Sequence, residues 1–185
     1  EEMDKFHSDV NRFFSHLLTY EPFKSRASQV LLHFIDNTDD LGCLPGTPLY
    51  CDASKVVQRV NDAGVPYDAI GVSVDTEVYG GRGGYIAVFY RGEVDGHSVF
   101  VHELGHSLGT FSLWDEYTYH DRDDGPIDNQ VYINCYSGLP PTPLWQNLVA
   151  LGDYSEGCTY RNWYRSSPAS IMLSPGVHYY NAVSQ

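Results

Sequence analysis

Phe6, Val10, Phe13, Phe14, Leu17 and Leu18 recur at helical spacing, which predicts a helix over 2–19 ended by Pro22. The contiguous apolar run Val30 to Ile35, closed by Asp36-Asn37-Thr38-Asp39-Asp40, predicts a short buried strand and a turn. A loop containing Gly and Pro follows from Leu41 to Tyr50. Asp52 can then cap a helix over 53–63 that turns Val56, Val57 and Val60 inward and stops at Gly64 and Pro66. Ala69 to Val74 reads as a second buried strand, Gly80 to Gly84 as a flexible turn, and Tyr85 to Tyr90 as a third strand. A helix runs from about Gly96 to Leu108. Beyond Gly109 the chain is rich in Asp, Gly, Pro, Tyr and Ser, with a short helix expected around 143–151 on Leu144, Leu148 and Val149. The pattern predicts an α+β chain: a small twisted mixed sheet, a central helix and an irregular C-terminal part. We expect one domain over 1–185, with subdomains of about 1–109 and 110–185.

The last predicted helix carries the chemistry. It reads Val101-His102-Glu103-Leu104-Gly105-His106-Ser107-Leu108, an HExxH motif. Two His four apart sit on one helix face, with Cβ atoms about 5–6 Å apart, so both rings reach one ion. Glu103, next to the first His, is placed to take a proton from a metal-activated water. Chance would produce the motif in about 1–2% of chains with this His and Glu content. Phe100, Val101, Leu104 and Leu108 make the rest of the helix apolar, unlike a solvated surface helix with two incidental His.

A catalytic zinc takes three protein ligands. A chain turning at Gly109 would offer residue 112, but Ser112 is a poor zinc ligand. The next donors are Asp115, Glu116 and His120. Asp115 is the first choice on ligand chemistry and loop reach, and an unused acid there would hydrogen-bond a ligand His.

Composition narrows the class. Eleven Lys plus Arg against 24 Asp plus Glu give a net charge of −13, which disfavours nucleic acid as a partner. The longest apolar runs fall far short of the ~18 residues of a membrane span. No basic-then-apolar leader opens Glu1-Glu2-Met3-Asp4, so the chain reads as a mature protein or excised domain. Four Cys without a CxxC pair suggest two disulfides in an oxidising compartment. The pairing Cys43–Cys51 and Cys135–Cys158 closes the most local loops, although spacing leaves two other pairings open. GxSxG and Walker motifs are absent, and Asp75-Thr76 runs into Glu77 rather than Gly.

The stretch Val101 to Gly109 followed by Asp115-Glu116-Tyr117 resembles the M64 metallopeptidases, the family that includes bacterial IgA peptidase. Tyr67-Asp68-Ala69-Ile70, Tyr79-Gly80-Gly81-Arg82-Gly83-Gly84 and the Cys-containing run Asp39 to Asp52 match the same family. Ser170-Ile171-Met172 after Tyr164-Arg165 is similar to a metzincin Met-turn. The resemblance implies a zincin (metzincin-like) fold and endopeptidase activity, with Met172 forming an apolar base under the metal.

The expected function is a secreted, monomeric zinc endopeptidase that hydrolyses peptide bonds of extracellular proteins. His102, His106 and Asp115 would hold one Zn2+, with Glu103 as general base. Tyr117 and Tyr179, and Tyr180 beside it, are candidate oxyanion donors. The alternatives are a non-catalytic protein- or glycan-binding module on the same scaffold and a zinc hydrolase of non-peptide amides. Asp121-Arg122-Asp123-Asp124-Gly125 with Asp128 is a weaker candidate for Ca2+, because it lacks EF-hand spacing. An acidic cleft would favour basic or neutral peptides.

Overall fold

The computed structural model describes residues 2–108, 113–119, 123–129, 131–140, 142, 144–149 and 153–185. The chain is mixed α and β and divides into two compact units, 1–109 and 110–185.

In the first unit, α1 (Glu2–Leu17) buries Phe13 and Leu17, and Phe13 meets Phe89 edge to face at 5.2 Å. Helix α2 (Ala53–Ala63) starts where Asp52 accepts hydrogen bonds from the Ser54 and Lys55 N–H groups, at 2.9 and 3.3 Å. It ends at Gly64, whose φ of 66° is left-handed and suits glycine. Its Val56 and Val60 enter the core with Leu49, Cys51, Ile70 and Val88. The Cys43–Cys51 disulfide ties the loop before α2 to that core.

The sheet of this unit has the order β1-β3-β2, from β1 (Gly71–Val74), β2 (Gly81–Arg82) and β3 (Ala87–Tyr90). Strand β1 runs parallel to β3 and β2 antiparallel to it. All four residues of β3 are buried, as expected of a central strand covered on both faces. Helix α3 (Gly96–Ser107) packs on this strand, and nine of its twelve residues are buried.

Two expectations need correction here. Val30 to Ile35 is not a strand; it runs without ladder partners among the described residues, and Leu31 and Phe34 are exposed. Ile35 packs on the core and the Phe34 ring lies against His7, tilted at 5.0 Å, so only part of the run is apolar for packing. The Gly80–Gly84 stretch is not only a turn, because Gly81 and Arg82 form the edge strand.

The second unit is less irregular than its composition suggests. It holds a four-stranded antiparallel sheet of order β4-β5-β7-β6, from β4 (Val131–Tyr132), β5 (Cys135–Tyr136), β6 (Ser155–Cys158) and β7 (Tyr160–Arg165). Three of these strands are too short to show alternation, and a register shift interrupts the β6–β7 pair beside Gly157, φ 86°. The Cys135–Cys158 disulfide, fully buried, joins β5 to β6 across β7. Trp114, Tyr132 and Trp163 stack around it, with centroids 4.4 and 5.3 Å apart. Residues 144–148 form turns rather than a helix, and 143, 150 and 151 lie outside the described residues. Trp145 anchors these turns, donating from Nε1 to the Ile133 carbonyl at 3.0 Å. Trp145 and Val149 are buried, whereas Leu144 and Leu148 are exposed. Among the described residues no helix is long and apolar enough to cross a membrane.

Replacing Asp52 with Ala removes the cap of α2. Urea denaturation should show a loss of about 1 kcal/mol.

Candidate metal centre

Helix α3 sets His102 and His106 one turn apart. Their Nε2 atoms are 3.2 Å apart and the rings cross at 84°. Two zinc–nitrogen bonds of about 2.05 Å meeting near the tetrahedral angle would place the nitrogens about 3.3 Å apart. The pair therefore has the bite of two ligands on one tetrahedral ion. His102 and Glu103 are buried, and His106 is partly so.

The edge strand shapes the surroundings of Glu103. A Cβ on Gly81 would lie 2.4 Å from Glu103 Oε1, and one on Gly83 would lie 2.2 Å from His106 Cβ. Only glycine lets the strand approach this closely. Ser107 Oγ donates to the Glu103 carbonyl at 3.0 Å and accepts from the Gly84 N–H at 3.2 Å, tying the glycine stretch to the helix. Burial, then the carboxylates of Glu103 and Asp95, push the Tyr79 hydroxyl above its ordinary value.

In the second unit, Asp115 sits between two clamped neighbours. Asn134 accepts from the Trp114 N–H at 2.9 Å and donates to the Trp114 carbonyl at 2.7 Å, as a neighbouring strand would. The Glu116 N–H donates to the Met172 carbonyl at 3.0 Å. The Asp115 carbonyl accepts from Thr159 Oγ1 at 3.1 Å, and its carboxylate accepts from the Tyr119 hydroxyl. Burial, then that carboxylate and Tyr117, push the Tyr119 hydroxyl far up, so it stays a donor. Backbone and side chain of Asp115 are thus both oriented.

Glu116 is fully buried. It accepts from Asn134 at 3.1 Å, from Asn181 at 2.7 Å and from the Ser170 hydroxyl. Burial raises its pKa, while those donors and the charge of Arg165 pull it back. Its oxygens are engaged in holding Asn134, Ser170 and Asn181 together. Met172, also fully buried, lies in the turn that Ser170 closes: the Met172 N–H donates to Ser170 Oγ at 3.1 Å. Tyr117 and Tyr179 are partly exposed and Tyr180 is buried. Ser112 and His120 lie outside the described residues.

His102, His106 and Asp115 make up a donor set that could hold one metal ion. The acidic stretch after it is engaged differently: Asp124 pairs with Arg161 at 3.0 Å, and Asp128 accepts from Ser137, while Asp121 and Arg122 lie outside the described residues. Neither a family model nor a curated protein matches the chain. Asn134, Thr159 and Tyr119 carry no motif or spacing that marks them in the sequence: Asn134 lies in the largely apolar run Val131 to Tyr136, and the other two are single polar residues in mixed stretches. The glycine spacing at 81 and 83 was the one legible hint of close backbone approach.

The network around Glu116 should separate two variants. Glu116→Ala leaves three buried donors without an acceptor and should cost about 3 kcal/mol in a denaturation curve. Glu116→Gln keeps Oε1 for both Asn amides, and the Ser170 hydroxyl can turn to accept, so its cost should stay under about 1 kcal/mol. A raised carboxyl pKa favours folding fully below the unfolded value and loses that contribution as pH rises through the folded one. The balance between the two proteins should therefore move toward Gln as pH rises above the ordinary carboxylate range.

Proposed function

We propose that this chain is a secreted zinc endopeptidase of the IgA-peptidase-like metallopeptidases, built on a zincin fold. The observation that carries the reading is the His102–His106 pair, set at a tetrahedral bite on a buried helix with Glu103 beside it. Glu103 favours catalysis over a non-catalytic binding module, because a site that only binds has no use for a buried base. Two disulfides and the lack of a membrane-spanning helix among the described residues are compatible with an extracellular setting.

His102, His106 and Asp115 would hold the ion, and two imidazoles with one carboxylate suit zinc. Zinc in that set supplies Lewis acidity, which lets a water lose its proton near neutral pH and polarises a carbonyl. Glu103 takes that proton as the water attacks the scissile carbonyl, then hands it to the leaving amine. Gly81 and Ser107 keep the Glu103 segment from swinging away. Tyr119 and Thr159 orient Asp115, and the Met172 turn is the proposed base of the site. Tyr117 and Tyr179 are the hydroxyls proposed to steady the developing oxyanion.

Glu103→Gln should bind one zinc per chain by elemental analysis yet lose about 10³-fold in kcat/KM on a casein-derived peptide. Undiminished cleavage by this variant would dismiss the mechanism. Asp115→Ala should weaken zinc binding by about a hundredfold or more in competition with a chromophoric chelator, whereas Glu116→Gln should hold its metal. The reverse result would move the third ligand to Glu116.

A further inference from the structure

The edge strand β2 suggests which substrates this site would choose, an inference that rests on the peptidase reading. Strand β2 pairs with β3 on one side, and among the described residues the sheet ends with it. Gly81 and Gly83 face α3, at Glu103 and His106. Alternation along a strand then sends the Arg82 side chain to the opposite face. There its guanidinium lies 5.3 Å over the ring of Tyr50, within cation–π range. Tyr50 precedes Cys51, which is buried and disulfide-bonded to Cys43, so the ring under the guanidinium is anchored to the core. Among the described residues Arg82 has no carboxylate partner, although the chain carries 24 Asp and Glu. An exposed arginine on so acidic a protein, stacked but unpaired, keeps its fork of donors for an incoming group.

We infer that a substrate chain lies along β2 and that Arg82 selects an acidic side chain at one fixed position relative to the cut. A peptide lying against β2 shows its side chains alternately to the α3 face and to the Arg82 face. A carboxylate on the second face meets the guanidinium directly. The net charge of −13 argues the other way at long range. Salt screens that field beyond about 8 Å at physiological ionic strength, so at contact the nearest charge decides.

The test begins with the zinc-loaded protein on a degenerate peptide library, with cut sites read by mass spectrometry. One position should be enriched in Asp and Glu. Two peptides differing only there, Asp against Lys, are then compared with wild type and with Arg82→Glu. Wild type should prefer Asp about two- to fivefold in kcat/KM, the size of an exposed ion pair. Arg82→Glu should reverse that order. Tyr50→Ala, which removes the stacking ring, should shrink the wild-type preference about twofold. Each comparison is a ratio within one protein, so a partly folded variant cannot imitate it. A wild type indifferent to acid, or a preference that survives Arg82→Glu, overturns the role of Arg82 and leaves the peptidase reading intact. A zinc-loaded wild type that cuts nothing overturns both.

Discussion

Helix α3 must carry two imidazoles and a carboxylate through the buried interior of the first unit, and its neighbours are shaped by that demand. Polar groups taken out of water cost free energy unless something meets them. The helix meets it with side chains that serve one another. His102 and His106 face each other at 3.2 Å, and Ser107 bridges the Glu103 carbonyl to the Gly84 amide. Val99, Val101 and Leu104, all buried, supply the apolar packing that keeps the helix inside. The fully buried β3 gives it a rigid wall. The short, glycine-bearing β2 is the form a strand takes when it must lie against a carboxylate rather than against a side chain of its own kind.

The second unit answers a similar demand differently. Its buried carboxylate, Glu116, gathers distant stretches of chain: Asn134 in the β4–β5 turn, Ser170 before the Met172 turn, and Asn181 near the end. A carboxylate in such a place holds a structure together only when donors meet it, and here three side chains do. Asp115, one residue earlier, is positioned as a by-product of that network, together with Thr159 and the stacked aromatic residues around the Cys135–Cys158 disulfide. Two adjacent acids thus divide the work, one organising the interior and the other held with its carboxylate against Tyr119 as the proposed ligand.

The elements with strong local signals were legible in the sequence. The cap at Asp52, the left-handed Gly64, the apolar run of β3 and the periodicity of α1 are decided by neighbours in the chain. The local disulfide pairing was legible for the same reason. The apolar run at Val30 misled because hydrophobicity reports burial rather than ladder partners. The sheet of the second unit was hidden because its strands are held by a disulfide, by stacked aromatic residues and by Asn134 acting across 20 residues. The HExxH helix could be read directly, since both donors lie on one element. The residues that orient Asp115 could not, because each comes from a different loop and is an ordinary polar residue in its own stretch.

The three consecutive positions 81, 82 and 83 differ in how much variation they admit. At 81 and 83 any side chain would occupy space already filled by Glu103 and His106. Position 82 points away from both, so its side chain can change without crowding either. An evolving lineage could therefore exchange Arg82 freely while the two flanking glycines stay closed to change. Preference would drift at the middle residue, and the chemistry next to it would be shielded from that drift.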